Sequence, residues 1–316
     1  MFQRNFFLLV IFLISSGLAM QAQTPDSAIN YYEHGNKKLS NGDLDGAIED
    51  FTRAIEISSR LGSDRLARKL VSGATGFAAS ADEANEVTVI DPFTAKAFMG
   101  RGLARYKKGD IDEAIADWDR AIRINPGRAE AYLDRGAGHY VKGDTAGALA
   151  DWNRALQINP RLAAAYCNRG GVRQKEGDLA GALADLNAAI ALDPGEAISY
   201  SNRGFVWIEK RDFDRANSDF EKAIELNPRS LYGYFGRGIV RMSKDLDTAI
   251  ADFNQVLQLN PNFANAYMNR GLALLMQGRD TDAEKDFERC RALNPALKNE
   301  LEQRIVLARE LRALKP

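Results

Sequence analysis

Along most of the chain, apolar and small residues recur at the three- and four-residue spacing of a single buried helix face. The stretches are short and come in pairs. Residues 131–160, "AYLDRGAGHYVKGDTAGALADWNRALQINP", hold one such face before a Gly-Asp turn and a second after it. The pattern restarts at Tyr166 as "YCNRGGVRQKEGDLAGALADLNAAIALDP". Prolines at 92, 126, 160, 194, 228, 261 and 295 mark the period, in steps of 34, 34, 34, 34, 33 and 34 residues. Each period predicts two helices. Gly42-Asp43, Gly109-Asp110, Gly143-Asp144 and Gly177-Asp178 form the turns, with the aspartate placed to cap the second helix. In "DIDE", Asp110 and Glu113 have the spacing of a capping box. Asn-Pro or Asp-Pro closes the second helix, because proline cannot continue it and disfavours helical geometry in the residue before it.

Small residues occupy fixed places where two helices must approach. Glycines 35, 102, 136, 170, 204, 238 and 271 share one place in the first helix, and alanines 47, 114, 148, 182, 216, 249 and 283 one in the second. Bulky side chains fill the layer between: Tyr31, Phe98, Tyr132, Tyr166, Tyr200, Tyr234 and Tyr267 face Phe51, Trp118, Trp152, Leu186, Phe220, Phe253 and Phe287. No single pair of helices can bury such faces alone, so the units must stack. This 34-residue helix–turn–helix, with an aromatic, a glycine, an alanine, a second aromatic and a closing proline, resembles the tetratricopeptide repeat.

The resemblance implies an all-α solenoid, a right-handed superhelix of antiparallel helix pairs whose concave face binds peptides or proteins. Seven units are expected: residues 23–59, 93–126, 127–160, 161–194, 195–228, 229–261 and 262–295. Residues 60–92 lack the pattern and read as an eroded repeat, with a flexible insertion as the alternative; Arg68 and Glu83 keep a basic–acidic spacing there. Its "GATG" has no following Lys-Ser or Lys-Thr and makes no phosphate loop. Residues 296–316 read as a capping helix, with Leu297, Leu301, Ile305 and Ala308 inward and Lys298, Glu302, Arg309 and Arg312 solvated.

One place departs from the family, which usually has leucine there. Three residues after the first aromatic stand Arg101, Arg135, Arg169, Arg203, Arg237 and Arg270. Sixteen residues later, or fifteen in the shortened sixth repeat, stand Asp117, Asp151, Asp185, Asp219, Asp252 and Asp286. An arginine that brings its own carboxylate predicts a structural ladder, using the planar fork that lysine lacks. A cationic stripe gripping an acidic ligand is the alternative. Repeat one would use His34 with Asp50.

Charge and chemistry narrow the function. The chain of 316 residues has 42 basic and 43 acidic side chains, so nothing favours a nucleic-acid partner. Arg4, the apolar run "FFLLVIFLI" and the small residues after it make residues 1–22 read as a secretory signal, too short to span a bilayer. No cysteine follows that would carry a lipid anchor. This predicts a periplasmic or extracellular protein; an uncleaved membrane anchor is the alternative. Cys167 and Cys290 lie more than three repeats apart and predict free thiols. His34 and His139 have no metal-ligand spacing, and no nucleophile, dinucleotide or paired-carboxylate motif appears, so no enzyme activity, metal or cofactor is expected.

What remains is a surface. Carrying the family's groove places over to this chain gives Asn168 in repeat four, Asn202 and Phe205 in five, Phe235 and Ile239 in six, and Met268, Asn269 and Leu272 in seven. Repeats two and three offer Met99, Leu103, Leu133 and Asp134. Asparagine can bond a peptide backbone as both donor and acceptor. The family's two-carboxylate clamp needs Lys and Arg where this chain has Ala164/Asn168, Ile198/Asn202 and Asn265/Asn269, so that specialisation is not expected. The sequence thus predicts a scaffold that binds a protein or peptide segment. A self-associating or assembly component of a cell envelope is the alternative.

Overall fold

The computed structural model describes residues 25–71 and 92–314, and over 62–71 gives the helix alone. The leader, the segment 72–91 and its glycine-rich stretch, and the Arg68/Glu83 spacing lie outside the described residues or side chains. Fifteen α-helices and one 3-10 turn, with no strand, make up the described residues. They fall into two compact units, divided after Pro160.

The first unit holds α1 (Pro25–Ser40), α2 (Leu44–Val71), α3 (Pro92–Lys108), α4 (Ile111–Ile124), α5 (Ala129–Val141) and α6 (Thr145–Ile158). Helix α4 shows why such segments are helical. Ala114, Asp117, Trp118 and Ala121 make one buried stripe, Asp112 and Glu113 sit at the positive end, and Arg123 at the negative end. Helix α2 continues without a break from the first repeat to Val71. Residues 93–126 stack directly on that repeat. Tyr32 meets Phe93 edge-on at 5.3 Å, and Ala54 and Ile55 pack with Ala97 and Phe98. Tyr31 is exposed, because its place faces a preceding repeat and none precedes it among the described residues; Tyr32 packs on Phe51 instead.

The second unit holds α7 (Ala163–Lys175), α8 (Leu179–Leu192), α9 (Ala197–Glu209), α10 (Phe213–Leu226), α11 (Leu231–Arg241), α12 (Leu246–Leu259), α13 (Ala264–Met276), α14 (Asp280–Leu293) and α15 (Lys298–Ala313), the last after the 3-10 turn Pro295–Leu297. Close packing sets the glycine places: a methyl on Gly204 would sit 2.7 Å from the Phe220 ring, and one on Gly236 2.2 Å from the same ring. Full burial of such a phenylalanine contributes about 1.5–3 kcal/mol. Leu301, Ile305 and Ala308 of α15 are buried against Phe287 and Cys290. Arg312 is not solvated as predicted. It donates to Leu275 O at 2.9 Å and Asp280 Oδ1 at 2.8 Å, holding the last helix on the stack.

The turns follow the Gly-Asp signal in most repeats. Gly42, Gly109, Gly143, Gly177 and Gly278 take positive φ; in repeat five Arg211 does so at φ 60°. Asp43, Asp144, Asp178 and Asp212 accept from the backbone N–H three residues on. Asp110 makes no such bond, so the capping box predicted with Glu113 does not form; its carboxylate lies 3.7 Å from Lys108 instead.

The arginines form a ladder. Each of Arg101, Arg135, Arg169, Arg203, Arg237 and Arg270 donates from Nε and Nη2 to both oxygens of its own repeat's buried aspartate, at 2.6–3.0 Å. The free Nη1 reaches the preceding repeat: Arg101 to Thr52, Arg135 to Asp119, Arg203 to Asn187 and Arg270 to Asn254. The guanidinium also lies over the aromatic three residues earlier, 5.3–5.6 Å from its centre. Aspartate bonds hold Arg135, Arg169, Arg203 and Arg270 above the ordinary arginine range, against burial acting the other way. One side chain thus joins two helices and two repeats, which a lysine point charge could not do.

Two further elements complete this network. A second basic residue, one turn further on, reaches the same aspartate: Lys38, Arg105, Arg173 and Arg241 at 2.6–3.1 Å. Asp50 is therefore served by Lys38 rather than His34. Repeats five and seven have Trp207 and Leu274 at that place. Along the turns a second row links neighbouring repeats: Lys108 to Asp45, Lys142 to Asp112, Lys244 to Asp214 and Gln277 to Asp247.

Candidate functional site

The first helices of the second unit bring aromatic rings together. Phe205 of α9, Tyr232 and Phe235 of α11, and Phe263 just before α13 form one connected network. Phe205 lies 6.5 Å from both Tyr232 and Phe235, Phe235 lies 5.0 Å from Phe263 edge-on, and Tyr232 closes the circuit to Phe263 at 6.3 Å. Phe220 and Phe253 anchor the network from below: Phe205 packs on the first at 5.0 Å and Phe235 on the second at 6.1 Å. These pairs take the tilted and edge-on geometries that ring quadrupoles favour. Phe205, Phe235 and Ile239 are half-buried, while Tyr232 is 48% and Ile198 46% exposed.

Three of the residues predicted for this surface are instead core. Met268, Asn269 and Leu272 are 3%, 5% and 5% exposed. Met268 and Leu272 belong to the cluster that includes Leu301 and Ile305, because α15 covers that end of the stack. The asparagines are largely engaged inside the protein. Asn269 donates to Asn265 O at 2.8 Å, and Asn202 donates to Cys167 Sγ at 3.5 Å; Asn168 is half-buried. Tyr232 and Phe263 went unrecognised. Tyr232 occupies the place of Ala164, Ile198 and Asn265, so repeat spacing alone could have found it. Phe263 precedes its helix, where spacing carries no such information.

The remaining chemistry is sparse. In the first unit Asp134 stands at the asparagine place of α5. Burial first, then the nearby Glu130 charge, push its carboxyl up to about 6, with Arg128 opposing. Cys167 and Cys290 are buried and unpaired, with burial pushing both thiols up. Among the described residues no three His, Cys, Asp or Glu side chains gather as metal ligands, and no helix is long and apolar enough to cross a membrane. The aromatic network offers contact area and shape.

Comparison with known proteins agrees with this architecture. Models described as TPR repeat and tetratricopeptide repeat match residues 102–143, 138–177, 163–196, 197–230, 241–278 and 264–297, together more than half of the chain. Over 103 residues the chain is 33% identical to heat shock protein STI1 of Saccharomyces cerevisiae, which is 31% of this chain and 17% of that protein. It thus spans about a sixth of that relative's length. A tetratricopeptide repeat protein from Parabacteroides merdae superposes with a TM-score of 0.60 at 20% identity, over 89% of this chain and 99% of the other. A chain of the APC/C hetero-tetramer Cut9–Hcn1 does so with 0.63 at 17% identity, over 92% and 57%. With the repeat models spread along both units and the solenoid architecture shared with these structures, this chain belongs to the tetratricopeptide-repeat family.

Proposed function

We propose that the protein is a non-enzymatic scaffold that binds a segment of another protein on the first-helix face of its second unit. The observation that carries this reading is the half-exposed network of Phe205, Tyr232, Phe235 and Phe263. Solvent-facing aromatics side by side are costly to leave wet and are the residue types enriched in interface cores. The same face has Ala164, Ile198, Tyr232 and Asn265 at one recurring place, none of them cationic, which favours an apolar segment over an acidic terminus. Recognition would be docking into a preformed groove with no bond made or broken. The apolar run at residues 6–14 supports export, so the partner would lie in the cell envelope or outside it.

Photo-crosslinking from position 232 tests the reading. A benzophenone side chain replacing Tyr232 should trap a partner from envelope extract, and Phe235→Ala should abolish the trapping while the helical circular dichroism stays unchanged. Trapping that survives Phe235→Ala moves recognition off this face. Cell fractionation with N-terminal sequencing tests export: a full-length protein recovered in the cytosol overturns it.

A second reading, self-association, draws on α15. Its outer side leaves Val306, Leu307, Leu311 and Leu314 exposed, opposite the buried Leu301, Ile305 and Ala308. A sedimentation coefficient that rises with concentration, and stops rising in Leu307→Glu, would support it over a purely heterologous scaffold.

A further inference from the structure

The first repeat lacks the arginine that the six others carry at the ladder place. His34 stands there instead, exposed, and makes no ion pair or hydrogen bond among the described residues. The ladder aspartate itself is in place: Asp50 is 7% exposed. Lys38 Nζ lies 2.8 Å from Asp50 Oδ2 but off that oxygen's hydrogen-bonding direction, so the buried oxygen accepts no bond among the described residues. The ring is in place as well. Tyr31, three residues before His34, is 38% exposed, whereas its counterparts Phe98 and Tyr132 are 6% and 9% exposed beneath Arg101 and Arg135. No cation lies over Tyr31 among the described residues. The first repeat thus presents the carboxylate and the aromatic ring that hold a guanidinium in each of the other six repeats, and brings no guanidinium of its own.

We propose that the exposed side of the first repeat is a docking site for an arginine side chain of a partner protein, which supplies from outside the guanidinium that the other repeats supply from within. The docked fork donates to the two oxygens of Asp50 and lies over the Tyr31 ring, as Arg135 does with Asp151 and Tyr132. Local charge favours such a ligand. Glu49 stands exposed beside Asp50, where repeats two to six carry Ala116, Ala150, Ala184, Ser218 and Ala251. Glu33 is exposed on α1, and Lys37 opposes the two acids. Lys38 does not block the site. It holds the second-base place only, and Asp117 takes Arg101 and Arg105 together in the same way. Arginine fits better than lysine, because its planar fork matches both carboxylate oxygens while its flat face covers the ring. The site lies within the first unit and does not rest on the aromatic face proposed for the second.

Magnetic resonance of the Tyr31 ring in the full chain, its signals located by their loss in Tyr31→Phe, tests this. The probes are N-acetylarginine methylamide and N-acetyllysine methylamide. The arginine probe should move the Tyr31 signals with an apparent affinity about fivefold or more above that of the lysine probe. Equal responses would reduce the site to general attraction by Glu33 and Glu49 and overturn the proposal. His34→Arg supplies the missing fork from within. It should abolish the arginine response and slow hydrogen exchange of residues 28–58, relative to α5 and α6, by about fivefold or more. An arginine response unchanged in that variant overturns the proposal. Exchange no slower than in the parent does so too, since the place would then not match those of the other repeats. Sedimentation at rising concentration separates the sources of the arginine. Association of the parent chain that disappears in His34→Arg would make the source a second copy and overturn its assignment to another protein.

Discussion

Replacing Arg203 by leucine, the usual family residue at that place, should be among the most damaging single changes in the second unit. Asp219 is buried and takes two bonds from Arg203, at 2.8 and 2.7 Å. Repeat five has Trp207 where other repeats have a second base, so the carboxylate would be left uncompensated. Breaking one side of a buried pair costs about 3–5 kcal/mol; partial exposure of Arg203 puts the expected loss at the lower end, about 3 kcal/mol. Arg169→Leu removes the same fork from Asp185, yet Arg173 stays 2.9 Å from that carboxylate, so the loss should be roughly half. Arg203→Leu combined with Asp219→Leu should recover to within about 1 kcal/mol of the parent, since an apolar pair of similar volume often replaces a buried ion pair at no cost. Urea unfolding followed by circular dichroism gives the totals. Hydrogen exchange by repeat is needed beside it, because a stack need not unfold in one step. Equal losses in Arg203→Leu and Arg169→Leu would refute the role given to the second base. A double variant as unstable as the single would refute the uncompensated charge as the cause.

Other positions give independent tests. Gly236→Ala would put a methyl 2.2 Å from the Phe220 ring and should cost about 1–3 kcal/mol, read from the urea midpoint. Arg211→Gly relieves the one described non-glycine residue at positive φ and should stabilise by up to about 1 kcal/mol; a lowered melting temperature would contradict the assigned turn. Trp118 Nε1 is buried with no acceptor among the described residues, whereas Trp152 Nε1 donates to Leu133 O at 3.2 Å. Trp118→Phe should therefore cost about 1 kcal/mol less than Trp152→Phe in parallel denaturant titrations. The exposed Lys244–Asp214 pair should contribute under about 1 kcal/mol by a double-mutant cycle, and less at high salt.

Much of the fold was legible because it is periodic. Gly204 beneath Phe220, Ala216 in the facing helix and Asn227-Pro228 closing the repeat recur at one spacing, and that spacing already carries helix length, turn and partner. The Arg–Asp ladder was legible for the same reason, down to the fifteen-residue interval of the shortened sixth repeat. Its second rung was not. Arg173 and Arg241 occur at the right interval, but sequence does not say whether a long side chain one turn away bends to the carboxylate or stays in water. The candidate surface divides along the same line. Phe205 and Phe235 follow from repeat spacing, whereas Met268 and Leu272 occupy equivalent places and are buried because a helix without a repeat signature, α15, lies over them. Residues 60–71 likewise lost the repeat pattern, and only packing determined that they prolong α2 while Phe93 stacks on Tyr32. Repetition along the chain determines what each layer looks like, since within each unit the inner layers meet the same kind of neighbour. The first and last described helices meet different neighbours, so their burial, and with it the extent of the open surface, is decided by tertiary contact.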